Sequence, residues 1–141
     1  YGEGPLRSIL EKHISEVGLE GRILLSGRSK EVLEKMNEAK VFCLSSDFEG
    51  MSNAMIEALC LGLPVVTTQV SGVKELVENG KNGFVVPVKD TNAFAQALQS
   101  LISDDKVMSE MTKNNKTLLS RFDIKHIVDC LEEQVKNVIK S

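Results

Sequence analysis

Glu49 and Glu57, separated by seven residues in "DFEGMSNAMIEALCLGLPVVTT" (Asp47 to Thr68), are the residues of this chain whose type and spacing best suit chemistry. Between them lie Gly50, Met51, Ser52 and Asn53, where the pattern predicts the start of a helix. A helix N-terminus presents unpaired N–H groups and roughly half a positive charge, so it can hold a phosphate. Gly50 has no side chain to keep a ligand from the backbone. Glu57 would lie roughly 7 Å along the helix axis and Glu49 before its start, so the two carboxylates bracket an anion site. Carboxylates accept hydrogen bonds from paired sugar hydroxyls. The arrangement therefore suits a ligand with hydroxyl-bearing rings on both sides of a diphosphate, which is the outline of a nucleotide sugar. Glu57 stands among Met55, Ile56, Ala58 and Leu59. Buried glutamate is rare unless paired, so those flanks favour a functional role over a solvated one.

The elements that must position these residues alternate along the chain. Leu6 to Val17 has helical spacing with Gly18 as its stop, and "RILLSG" reads as a short buried strand. "SKEVLEKMNEAK" is an amphipathic helix for which Ser29 would be the cap, followed by a strand at "VFCLSS". A helix from about Ser52 to Leu61 leads through Gly62-Leu63-Pro64 into the strand "PVVTT". "GVKELVENGKNG" gives a short helix and turn before the strand "FVVPV", and helical stretches at about Thr91 to Ile102, Asp105 to Leu119 and Ile124 to Lys140 complete the pattern. Continuous apolar strands alternating with helices define an α/β class, a Rossmann-like parallel sheet with helices on both faces. Ligands of such sheets bind beyond the carboxyl ends of the strands. That rule selects the loops Ser26 to Ser29, Ser45 to Ser52 and Thr67 to Gly72.

With 141 residues, the chain reads as one domain or part of one, spanning 1–141 with 105–141 as terminal helices. Its 42% hydrophobic and 26% charged residues and net charge of -3 describe a globular protein without a nucleic-acid surface. No apolar run approaches the roughly 20 residues of a membrane helix and no secretory leader opens the chain, so a cytoplasmic location is expected. Cys43, Cys60 and Cys130 lack C-x-x-C spacing, and the apolar segments around Cys43 and Cys60 suggest core thiols. His13 and His126 lie in predicted helices with no matching partner, which favours surface or packing roles. "GEGP" lacks the third glycine of a dinucleotide fingerprint, no G-K-[ST] phosphate loop occurs, and Ser45 and Ser46 form no nucleophile elbow.

These motifs resemble the carboxyl-terminal, donor-binding half of GT4-type retaining glycosyltransferases of the GT-B fold. The likeness rests on the glutamate pair, the G-x-P-V after it and the G-x-x-E-x-V in "SGVKELVENGKNGFVVPVKD". It extends to "GEGPLRSIL" and "ILLSGRSKEVLEKMNEAKVFCLSS". The resemblance implies that Glu49, as the candidate catalytic residue, touches hydroxyls of the donor sugar and that Glu57 holds the ribose. Backbone N–H groups of Gly50, Met51 and Ser52, with Asn53 beside them, would face the sugar and diphosphate, and Gly27 and Arg28 would border the base. A turn and a helix cap suffice to explain Gly72 and Glu75.

The resemblance implies no metal, since a helix N-terminus and basic side chains stabilise the leaving phosphate, and no cofactor beyond the donor substrate, with a UDP-sugar favoured and a glycan or lipid-linked acceptor held by a separate amino-terminal domain. It further implies surface-polysaccharide or lipid-linked oligosaccharide biosynthesis, with peripheral membrane contact in the parent enzyme. The family's first strands and the basic residues that grip the diphosphate are expected before Tyr1. A fragment of this kind is expected to bind donor weakly and not to turn over, and "RILLS" would lack sheet neighbours, which favours a fragment dimer. The rival readings are a nucleotide-sugar epimerase of the same fold and a noncatalytic nucleotide- or protein-binding module.

Overall fold

The computed structural model describes residues 2–50 and 52–118, so the expected final helix and Cys130 lie outside the described residues. The chain divides into two compact units, Tyr1–Lys35 and Met36–Ser141.

In the first unit, α1 (Arg7–Glu16) ends where the sequence places its stop. The amide of Gly18 donates to the Ser15 carbonyl at 3.1 Å and that of Leu19 to Ile14 at 3.0 Å, the paired bonds of a Schellman ending. Arg7 organises the unit: its guanidinium meets Glu3 at 2.8 Å and Glu11 at 2.9 Å, and donates to the Leu25 carbonyl at 2.8 Å. No residue of α1 is buried. The expected strand at "RILLSG" does not form a ladder; the segment has one isolated bridge, Glu20 to Ile23. Its apolar residues are strand-like in type, but a strand exists only as a pairing, and among the described residues this segment has no further pairing. α2 (Val32–Asn37) lies across the division between the units. Ser29 does not cap it: its hydroxyl accepts from the Glu31 amide at 3.0 Å, in the turn that precedes the helix.

The second unit is a three-stranded parallel sheet in the order β1 (Phe42–Leu44), β2 (Val65–Thr68), β3 (Gly83–Val86). Phe42 lies opposite Val65, and Val65 opposite Gly83. The central strand β2 is buried at all four positions, its two threonines included, as befits a parallel strand covered on both faces. Successive side chains of a strand point to opposite faces. Val65 accordingly enters a cluster with Met55, Leu59, Val73, Leu76 and Val77, from α3 (Asn53–Cys60), α4 (Val73–Leu76) and the residue after α4. Val66 enters another with Leu101 of α5 (Thr91–Ser103) and Met111 of α6 (Asp105–Leu118). Helices thus cover both faces.

Glycine is needed at the end of α3 and at the start of β3. Gly62 (φ 80°) closes α3 in a second Schellman ending, with Leu63 N–H donating to the Ala58 carbonyl at 2.9 Å. At Gly83 a Cβ would lie 2.5 Å from the Val65 carbonyl oxygen, so no side chain fits between β3 and β2. The buried Asn115 amide ties α6 to the sheet connections by donating to the Leu63 carbonyl at 2.8 Å and to that of Asn82 at 3.1 Å. The expectation of core cysteines is corrected at Cys43, which is exposed, while Cys60 is half-buried. Cys43 alternates with Phe42 and Leu44, which take the packed face of an edge strand. Partial desolvation nevertheless pushes its thiol pKa up, keeping it neutral.

Candidate functional site

The loop from Ser45 to Ser52 leaves the carboxyl end of β1 and is anchored to the neighbouring strand. Thr68, the last residue of β2, donates its hydroxyl to the Ser46 carbonyl at 2.5 Å. The Ser46 hydroxyl donates to the Glu49 carboxylate at 3.2 Å, which fixes the first of the two acids within its loop. Farther round, Asp47 lies 3.7 Å from the Lys89 ammonium, and Lys89 holds a left-handed φ of 64°. Sequence reasoning missed Ser46, Thr68 and Lys89; the available signal was a hydroxyl residue at the carboxyl end of a strand, where ligand loops of parallel sheets begin.

Ser52 is buried and caps α3, its hydroxyl accepting from the Met55 amide at 3.4 Å. The Ser52 carbonyl accepts from Ile56 at 3.1 Å, so the helix starts where the sequence places it. Among the described residues the amides of Asn53 and Ala54 have no partner. These are the donors a helix N-terminus can offer to an anion. Gly50 is open, with no protein atom within 4 Å of where a Cβ would stand. Met51 lies outside the described residues.

Glu57 is exposed, which corrects the expectation drawn from its apolar flanks. Met55, Ala58 and Leu59 form the buried stripe of α3, while Asn53 and Glu57, four residues apart, share the solvent face. The helix is apolar in composition but one-sided in space. The Glu57 carboxylate makes no hydrogen bond or ion pair among the described residues, so both its side-chain oxygens are free to accept from a ligand. Glu49 is half-buried in its loop.

The other nominated positions fall elsewhere. Gly27 and Arg28 belong to the first unit; Gly27 takes φ 68° and its carbonyl accepts from the Gly2 amide at 2.8 Å, while Arg28 is exposed. Gly72 is the left-handed N-cap of α4 and Glu75 stands in that helix's first turn, which matches the turn-and-cap explanation. A cavity of about 640 Å³ in the second unit is lined by Gln69, Lys74, Glu75, Asn79, Asn82 and Asn114 among others, and by neither Glu49 nor Glu57. Among the described residues no group of three His, Cys, Asp or Glu could hold a metal ion, and no helix is long and apolar enough to cross a membrane.

Comparison with known proteins identifies the family and the fold. The family of glycosyl transferases group 1 matches residues 1–118. The chain belongs to that family, the GT4-type class of GT-B glycosyltransferases, and its three parallel strands with flanking helices match the carboxyl-terminal domain of that fold. It is 32% identical over 134 residues to the UDP-Gal:alpha-D-GlcNAc-diphosphoundecaprenol alpha-1,3-galactosyltransferase of Escherichia coli, covering 94% of this chain and 34% of that enzyme. Among solved structures it is similar to Anabaena HepE in complex with UDP-glucose, at TM-score 0.82 and 26% identity over 97% of this chain and 38% of that one. The carboxyl-terminal domain of the group 1 glycosyl transferase LpcC from Francisella tularensis shares the fold, at TM-score 0.74 and 23% identity over 84% of this chain and 63% of that one. The chain therefore spans less than two thirds of the length of the relatives it matches.

Proposed function

We propose that this chain supplies the donor site of a retaining glycosyltransferase that moves a sugar from a nucleotide sugar, a UDP-sugar in the favoured case, to a glycan or lipid-linked acceptor held by a further domain. The observation that carries the reading is the capped start of α3, with the Asn53 and Ala54 amides unpartnered between the anchored Glu49 and the free Glu57. Glu49 accepts hydroxyls of the transferred sugar and Glu57 those of the ribose. The amides from Gly50 to Asn53 meet the sugar and diphosphate. Departure of the nucleoside diphosphate leaves an oxocarbenium-like sugar, and the helix N-terminus stabilises the charge that develops on the leaving phosphate. The UDP-glucose complex of HepE and the diphosphoundecaprenol acceptor of the Escherichia coli relative support the choice of donor and acceptor classes.

The test is a titration of the isotope-labelled parent protein, with its amino-terminal half present, against UDP, GDP and a panel of their sugars, followed by amide chemical shifts. UDP compounds are expected to move the amides of Gly50, Asn53 and Ala54. Glu57→Ala is expected to weaken that binding by about tenfold, the size of a lost hydrogen bond to a charged group. No shift with any nucleotide overturns the donor-site reading in favour of a noncatalytic module.

A further inference from the structure

Phe48, immediately before Glu49, is 90% exposed. The other described phenylalanines are used differently: Phe42 packs against one core cluster, and Phe84 and Phe94 against the other. The exposure of Phe48 does not come from a loose loop. Thr68 holds the Ser46 carbonyl, Ser46 holds the Glu49 carboxylate, and Asp47 pairs with Lys89, so contacts bracket Phe48 on both sides. The fold presents an aromatic ring and an acid from one anchored turn at the carboxyl end of β1.

A hexose has an edge of hydroxyls and a face of C–H groups. A carboxylate answers the first and a phenyl ring the second, since aromatic rings bury a large apolar area with defined geometry. We propose that Phe48 is a specificity residue, stacking on the C–H face of the transferred sugar while Glu49 accepts its hydroxyls. The inference rests on the donor-site reading above and adds a residue that contributes to the sugar and not to the nucleotide.

The experiment measures the affinity of the native chain, Phe48→Ala and Phe48→Tyr, each within the parent protein, for UDP and for UDP-glucose, together with nuclear Overhauser contacts between the Phe48 ring and the glucose C–H protons. Phe48→Ala is expected to weaken UDP-glucose by about two- to tenfold, the span expected of an aromatic contact. UDP affinity should be unchanged, Phe48→Tyr should retain sugar binding, and ring-to-glucose contacts should appear in the native chain. Unchanged UDP affinity also reports that the alanine variant is folded. If UDP binds but Phe48→Ala alters neither ligand, or weakens both equally, Phe48 has no sugar-specific role and the donor-site reading survives. If neither ligand binds the native sequence in the parent protein with its amino-terminal half present, both readings fall together.

Discussion

The two units of this chain are held in order by different kinds of contact. In the second unit β2 is buried throughout and helices close on both of its faces. In the first, α1 buries no residue, and Leu6, Ile9, Leu10, Val17, Ile23 and Leu24 all stay exposed. Its order rests on polar contacts around Arg7 and on a helix stop. Net contributions of single hydrogen bonds are about 0.5–1.5 kcal/mol, against about 1.5–3 kcal/mol for fully burying one aliphatic side chain. A motif can therefore look equally regular in two places and be held far more firmly in one. The loop with Glu49 and the helix with Glu57 belong to the firmly held unit, which suits residues that must keep a fixed geometry toward a ligand.

The severest way to break the contrast is to cut into the packed unit. Leu101 is fully buried beside Val66 and Met111. Leu101→Ala is expected to cost about 2–5 kcal/mol in urea unfolding, through lost transfer energy and the cavity left behind. The amides of α1 should show little further loss of hydrogen-exchange protection. A small stability change would mean that α5 does not hold the sheet.

Gly83→Ala comes next. Its added Cβ would meet the Val65 carbonyl oxygen at 2.5 Å, a backbone atom that moves only with its strand. Overpacking of this kind costs about 1–3 kcal/mol, and it should open the β2–β3 pairing selectively. Exchange of amides on the β2–β3 ladder is the direct check. If those amides stay protected while stability falls, the strain has been relieved elsewhere.

What the sequence disclosed follows the same division. Strands β1 to β3, the helix start near Ser52 and the break at Gly62 were all legible, because each depends on a local pattern that the packed unit then reinforces. "RILLSG" carried the residues of a strand, but a ladder needs a partner and composition cannot supply one. Ser29 lies two residues short of a capping position because α2 begins at Val32. Glu57 was misjudged by counting apolar neighbours along the chain instead of around the helix, where positions 53 and 57 oppose the stripe of 55, 58 and 59. Cys43 failed for the related reason that alternate residues of an edge strand face different surroundings. At the site, the acids and helix start were visible in the sequence; the Thr68–Ser46 and Lys89–Asp47 contacts that hold the loop connect residues too distant along the chain for spacing to disclose.

The next prediction sharpens the contrast from the side of the first unit. Arg7→Ala removes contacts to Glu3, Glu11 and the Leu25 carbonyl together. The carboxylate pairs are partly exposed and worth little singly, so the combined loss is expected to be about 1 kcal/mol, carried mainly by the Leu25 bond. It should show in the exchange of α1 amides and leave those of the sheet unchanged. A loss of sheet protection would mean that the two units unfold as one.

The smallest expected effect is a pH dependence in the same unit. Ser15 donates its hydroxyl to the Glu20 carboxylate at 2.6 Å, across the turn that ends α1. That bond, followed by a backbone bond, lowers the pKa of Glu20 below its ordinary 4.5. Because the folded value is the lower one, the bond stabilises the turn above the unfolded pKa, and that contribution is lost as pH falls through the folded value. Glu20 is fully exposed, so the consequence is local. Carboxyl titration by NMR should show Glu20 moving up toward its ordinary value in Ser15→Ala. The amides of Gly18 and Leu19 should lose protection on acidification in the native chain and less so in the variant. An unshifted Glu20 titration in Ser15→Ala would remove this bond from the few that order the first unit, leaving Arg7 and the Schellman turn to hold it.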